Sequence, residues 1–359
     1  MSADGSAVPP PVSVSATASS GPGEAAQAAA RAASLRVHPA NRRPAAPVGH
    51  VRPAPQRRAA PARIPVPRSE EEAARQWAAQ DHRHVRPARR AAAVAVVRDG
   101  PQGPELLLRH RPGQTPLGVV GLPGGSLTDQ DAEACTWYGP SPRAWARRLG
   151  MADLRSARQH VVAAVRELFE ETGLLLVGER EGDVVMDPAT PLWEGARTSL
   201  ESEGFGLPAQ LQRRGLGLRT DLLRPVGRWI SPDFRHRRFD AVVFAAAVPA
   251  GQQATVRPAR GRREEVAGLH AWVPAASLIE GPVALPGPPG WLGESGVVEA
   301  CEVTAPPTLM LAHRLAEAGS AVAFLLGLAD GAADRPLPRW RMAPAGEDAG
   351  RLWMRPTTD

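Results

Sequence analysis

The chain has 359 residues, a formal net charge of +6 and two cysteines, Cys135 and Cys301, which exclude a disulfide framework and a Cys-based zinc site. No apolar run approaches the roughly 20 residues of a membrane-spanning helix. Residues 1–88 hold 12 Arg against 6 Asp and Glu while residues 89–359 hold 31 against 31, with no Lys anywhere, so the excess charge lies in the first part. A neutral remainder argues against a shaped nucleic-acid site and leaves only non-specific attraction of a basic tail to acidic surfaces. The first residues lack the apolar core of a secretory signal, and a cytoplasmic, reducing location is the expectation.

Residues 1–68 are rich in Ala, Pro, Ser and Arg with almost no large apolar side chains, a composition that cannot offset the entropy of ordering and predicts a disordered tail. Residues 69–88 form a linker in which SEEEAARQWAAQD reads as a short helix, with Ser69 as N-cap and acids in the first turn. From Arg90, AAAVAVVRDG and then PELLLRHRPG read as two strands of a hairpin, turned after Asp99-Gly100. LGVVGLPGG is a third apolar run, ended by Pro123, Gly124 and Gly125 in a turn that glycine tolerates. Residues 132–156 read as irregular, with Gly139, Pro140 and Pro142 breaking any long helix. A helix is predicted from near Leu154 to Thr172, stopped by Gly173 in the left-handed conformation. Residues 178–223 read as an inserted, mostly helical segment. RPVGRWISP and RRFDAVVFAAAVP follow as strands, the second nearly all apolar and therefore central. GLHAWVPAASLI suggests a strand and a short helix, and PPTLMLAHRLAEAG a helix opened by Pro306 and Pro307. The domain is expected over 89–330, with a C-terminal extension at 331–359.

The helix at 154–172 carries the chemistry. At about 100° per residue, Val161, Val165, Leu168 and Phe169 share one side and Glu167, Glu170 and Glu171 the other. This describes a half-buried helix whose acids point away from the core. The plain reading of such a cluster is a solvated face. Like charges at this spacing repel, however, and no Arg four residues on offsets Glu167 or Glu170. A hard divalent cation would turn that repulsion into ligation by oxygen.

Gly125, Asp131 and the run Arg166-Glu167-Leu168-Phe169-Glu170-Glu171-Thr172-Gly173-Leu174 resemble the signature of the Nudix hydrolases, G-x5-E-x7-R-E-U-x-E-E-x-G-U with U aliphatic. RELFEETGL matches throughout, and PGG is the usual lead-in. Two departures stand out: Asp131 replaces the family's first Glu, and 34 residues separate it from Arg166 where 7 are usual, an insertion placed at about 132–158. A long insertion here, together with WISPDFRHRRFDAVVF and PPTLMLAHRLAEAGS, is similar to the peroxisomal-type members that cleave coenzyme A and acyl-coenzyme A. The resemblance spans roughly residues 89–325.

The resemblance implies an α/β/α sandwich around a mixed β-sheet with a helical insertion, Mg²⁺ or Mn²⁺ as cofactor, and a small-molecule diphosphate as substrate. No specific nucleic acid and no membrane is implied as partner. It makes Glu167, Glu170 and Glu171 metal ligands and Arg166 the residue that orients them, with Asp131 in the structural place of the first Glu. Gly124 and Gly125 would let backbone approach phosphate, a plain tight turn being an equal reading. Arg237 and Arg238 would meet an acidic substrate. Glu264 and Glu265 stand where an extra ligand or base often lies, against the plainer reading of solvated loop acids. The histidines show no metal spacing. ADP-ribose, NADH and nucleotides are alternative substrates, and a nucleotide-binding module without catalysis is a rival reading.

Overall fold

The structure, a computed structural model, describes residues 63–358 except 82–83, 112, 114, 203–204, 256–268, 332–336 and 349. In chain order, β1 (Ile64–Pro65) leads into α1 (Arg68–Ala78), and β2 (Arg89–Gly100) turns into β3 (Gly103–His110) through Pro101 and Gln102. Next come β4 (Val120–Gly121), β5 (Gly124–Ser126), β6 (Thr136–Tyr138), α2 (Pro142–Leu149) and α3 (Leu154–Thr172). β7 (Val177–Gly178), α4 (Pro191–Glu201), α5 (Leu207–Arg213), β8 (Gly217–Arg219), β9 (Arg224–Ile230), β10 (Phe239–Ala247) and β11 (His270–Pro274) follow. The remainder comprises β12 (Pro282–Val283), β13 (Val298–Glu299), α6 (Ala300–Val303), α7 (Pro306–Ala318), α8 (Ala321–Gly331) and the hairpin of β14 (Arg339–Asp348) and β15 (Arg351–Thr358).

The main sheet has the order β1-β15-β14-β9-β10-β2-β3-β11, with β5 also pairing β2 and β4 pairing β3. It is mixed: β10 runs parallel to β2 and β14 to β9, while β3 and β9 pair their neighbours β2 and β10 antiparallel. Side chains alternate across a strand, and β2 shows what that does. Ala92, Val94 and Val96 share one core with Val161, Val165, Leu168 and Phe169 of α3. Ala93, Ala95 and Val97 share the other with Leu309 and Leu315 of α7 and Phe324 and Leu328 of α8. Helices therefore cover both faces, giving the expected α/β/α layers around a mixed sheet. Each fully buried large side chain of α3 contributes about 1.5–3 kcal/mol. β10, apolar on both faces, lies between β9 and β2 as its composition requires.

Three boundaries differ from expectation. Ile64 and Val66 are buried and β1 pairs with β15, so among the described residues the core is joined from Ile64 and not after 68. α1 begins at Arg68 after Pro67, and Ser69 is not its N-cap. The stretch expected to be irregular contains α2, because its breakers sit at the helix ends. Ser141 Oγ accepts from the Ala144 amide at 3.2 Å, Pro142 occupies the first turn where no N–H is needed, and Gly150 closes the helix in the left-handed conformation. The helix from Leu154 to Thr172 with its Gly173 cap is found as predicted. The two inserted segments join each other: β6 pairs β8, which pairs β7, in a separate sheet. The segment beyond residue 331 contributes β14 and β15 to the main sheet. Among the described residues no single helix is long and apolar enough to cross a membrane.

Candidate active site

β3, β5 and α3 bring the charged residues together. In β5, Gly124, Gly125 and Ser126 pair with Ala93, Ala92 and Ala91 of β2, which puts the glycine backbone beside α3. Gly124 has φ +155°, and a Cβ there would lie 2.6 Å from the Ala93 Cα. A Cβ on Gly125 would lie 2.5 Å from Glu167 Oε1. Glycine is therefore required at both positions for the carboxylate to rest against the strand.

Arg166 is the hub. Its Nε and Nη2 donate to Asp131 Oδ1 and Oδ2 at 2.8 and 3.0 Å, a bidentate pair whose carboxylate is fully buried. Nη1 reaches Glu167 Oε1 at 2.9 Å and both Glu170 oxygens at 3.4 Å, and Nη2 also donates to the Ser126 carbonyl at 2.9 Å. Asp131 in turn accepts from the Thr128 amide at 2.8 Å. The long insertion between Asp131 and Arg166 folds as β6 and α2, with Trp145 packed into the α3 side of the core, and leaves the two side chains in contact.

Glu171 is held from the other side. Its Oε1 accepts from Arg109 Nη1. Its Oε2 accepts from Arg111 Nη2 and from the Gly124 amide, both at 2.9 Å. Arg111 Nη2 also donates to the carbonyls of Leu122 at 2.6 Å and Gly124 at 3.2 Å. Arg109 and Arg111 were not singled out from sequence, although two arginines at i and i+2 ending a strand share one face by its period of two. Arg197, fully buried in α4, was also missed; it donates to the Glu170 carbonyl at 3.0 Å and so satisfies the last turn of α3.

These partners overturn the picture of acids pointing away from the core. Gln159 to Phe169 are all buried, and the acidic side of α3 is covered by β5, Arg109 of β3 and Arg111 just beyond it. Arg166, four residues before Glu170, also supplies the compensation that the forward spacing lacked. Burial pushes Glu167 up to about 8, with Arg166 opposing and Glu171 and Glu170 adding. Burial likewise pushes Glu170 up to about 6, again against Arg166. For Arg166, burial disfavours the charge, but Asp131 and Glu167 outweigh it and hold the guanidinium well above its ordinary value. Burial lowers Arg111, with Glu171 opposing.

Among the described residues, no three His, Cys, Asp or Glu side chains are arranged around a point that a metal ion would fill. The reason is visible in the contacts, since guanidiniums stand between the carboxylates. The donor set still fits a hard divalent cation in kind: the side chains supply oxygen, and two of the carboxylates are raised first by burial and then by their neighbouring carboxylates.

The other expected residues lie apart. Arg238 is buried and donates to the carbonyls of Ser231 and Arg86 and to Asp233, so it staples the β9–β10 connection and has no edge for substrate. Arg237 is exposed, beside Arg235, His236, Glu70 and Thr115 in a cleft of about 420 Å³. Neither makes a described hydrogen bond or ion pair with α3. Glu264 and Glu265 lie outside the described residues.

No protein-family model matches the chain, and no curated protein does. Solved structures similar to it include a NUDIX hydrolase from Alicyclobacillus acidocaldarius, 27% identical over 66% of this chain and 96% of that one, with a TM-score of 0.47. The NUDIX domain of Shewanella oneidensis NrtR, crystallised with ADP ribose, is 15% identical over 59% of this chain and 89% of its own, at a TM-score of 0.27. Shewanella oneidensis NrtR also matches, at 11% identity over 75% and 94% and a TM-score of 0.25. These superpositions are too loose to assign a reaction, which must rest on the side chains.

Proposed function

We propose that the chain is a metal-dependent phosphoanhydride hydrolase of Nudix type, cleaving a diphosphate linked to another moiety. The observation that carries this reading is the meeting of Glu167, Glu170 and Glu171 on one buried helix against a two-glycine strand, with Arg166 anchored by Asp131. Glu167, Glu170 and Glu171 would hold Mg²⁺ or Mn²⁺. When bound, the cation offsets charge on the diphosphate oxygens and makes water a competent nucleophile near neutral pH.

The chain's own part is positional. Arg166 spends its donors on Asp131, Glu167, Glu170 and the Ser126 carbonyl, so it fixes carboxylates and does not meet substrate. The close packing of Gly125 against Glu167 excludes water from behind that carboxylate. In the overall reaction a water oxygen bonds to one phosphorus, the bridging P–O bond breaks, and the bridge oxygen leaves with the other phosphoryl group.

Coenzyme A or acyl-coenzyme A is the particular substrate we propose, from the insertion after Asp131 and the Trp229 to Phe244 region. With Arg238 committed to the fold, Arg237 alone is left to meet a 3′-phosphate. Purified full-length protein with Mg²⁺ or Mn²⁺ should be assayed on coenzyme A, 3′-dephospho-coenzyme A, ADP-ribose, NADH and nucleoside triphosphates. Metal-dependent cleavage giving 3′,5′-ADP and a phosphopantetheine product is expected. Faster turnover of ADP-ribose or a nucleotide would move the substrate and keep the reaction class, and no cleavage of any anhydride would favour a binding module.

A further inference from the structure

The geometry points to Arg109 and Arg111 as an exchangeable counter-ion pair, bound to Glu171 in the free protein and transferred to the substrate's diphosphate when a divalent cation takes Glu171. This rests on the hydrolase reading above and deepens it, because it makes loading of cation and substrate a coupled event.

Four observations support the exchange. Protein donors take three positions on Glu171 and leave neither oxygen free: Arg109 on one oxygen, Arg111 and the Gly124 amide on the other. A carboxylate offers about four acceptor positions, so a cation can claim Glu171 fully only by displacing a guanidinium. Arg111 is 7% exposed, and its Nη1 is a buried donor with no partner among the described residues; Arg109 Nε is in the same condition. Buried unsatisfied donors are costly and call for an acceptor, and a phosphate oxygen supplies several.

The two arginines are also anchored differently. Arg111 is fixed by the Leu122 and Gly124 carbonyls and would stay in place when Glu171 is withdrawn. Arg109 has Glu171 as its described side-chain partner, so nothing else retains its guanidinium there. Finally, the charges match. Two guanidiniums exceed Glu171 by one positive charge in the free protein, and once the dication has Glu171 they are left with two, which the two negative charges of a diphosphate bridge can meet.

The test compares Arg109→Gln and Arg111→Gln with the parent, full-length and metal-free at the start. Mn²⁺ affinity is read by electron paramagnetic resonance without nucleotide, and the affinity of α,β-methylene-ADP by calorimetry at a fixed excess of Mg²⁺. The exchange requires shifts of opposite sign: Mn²⁺ binding tighter by about tenfold, the scale of one partly buried charge pair, and analogue binding weaker by a similar factor. A purely structural role would weaken both and lower the melting temperature. Arg109→Gln touches no described backbone contact and serves if Arg111→Gln fails to fold. Unchanged or weaker Mn²⁺ binding in a variant that melts like the parent overturns the exchange, as does unchanged analogue binding. If the parent itself binds no Mn²⁺ and cleaves no anhydride, the hydrolase reading falls with it; if the parent binds and cleaves, only the exchange is at stake.

Discussion

Replacing Asp131 by Ala removes three hydrogen bonds from a fully buried place: two from Arg166, at 2.8 and 3.0 Å, and one from the Thr128 amide at 2.8 Å. Breaking one side of a buried ion pair costs about 3–5 kcal/mol, because the remaining charge is left without compensation. Arg166 retains Glu167, Glu170 and the Ser126 carbonyl, so the lower end applies, about 3 kcal/mol. At roughly 2–4 °C per kcal/mol for a domain of a few hundred residues, the melting temperature should fall by roughly 6–12 °C. Turnover should fall as well, since an unanchored Arg166 no longer fixes the positions of Glu167 and Glu170. Differential scanning calorimetry gives the first quantity and anhydride cleavage in excess Mg²⁺ the second. Asp131→Asn, which keeps the shape and one acceptor, should fall between the two proteins. An Asp131→Ala protein that melts within about 2 °C of the parent would refute the reasoning, because a shift that small is under 1 kcal/mol.

Glu170→Gln and Glu171→Gln should each remove most activity while the circular dichroism spectrum stays close to the parent, Glu171→Gln melting lower because Arg109 and Arg111 lose their carboxylate partner; near-normal turnover by both at saturating metal would sink the ligand assignment. Glu167 and Glu170 are raised from 4.5 to about 8 and about 6, so the folded protein holds their protons more tightly than the unfolded chain. Stability of the metal-free protein should then fall as pH rises from about 4.5 through about 8, and Mn²⁺ should flatten that slope; melting temperatures across pH that rise instead would contradict the burial of these acids. Removing residues 1–62 should leave folding and activity intact and weaken binding to polyanions, whereas removing 1–68 also strips the buried Ile64 and Val66 and should cost about 3–6 kcal/mol. Equal denaturant midpoints for the two truncations would show that β1 is dispensable.

What the sequence made legible was what local rules decide. α3 could be placed because Gly173 sits at its C-terminal end and its apolar positions recur at helical spacing; the Asp153 cap at its start emerged only with the fold. β10 could be placed at the sheet centre because it is apolar on both faces. A helical wheel sees only one helix, and for that reason it missed that Arg109 and Arg111, some 60 residues earlier, cover the acidic side. Arg238 looked like a substrate contact because an arginine's partners cannot be read from its neighbours; Ser231, Asp233 and Arg86 claim it only after β9 and β10 pair. Pro142 shows that a breaker is a matter of position, since at the first turn the same residue starts a helix.

The pairing of β1 with β15 has a consequence for synthesis on the ribosome. Ile64 meets Met354 and Pro65 meets Trp353, partners separated by about 290 residues. At about 5–20 residues per second, roughly 15–60 s pass between the emergence of one partner and the completion of the other. For that interval Ile64 and Val66 present apolar surface that the nascent chain cannot cover from nearby. The α3 side of the core, built from β2, β10 and the intervening helices, contains nothing beyond residue 247 among its large buried members and can close first. The α3 side of the fold can thus consolidate while β1 still waits for its partner strand.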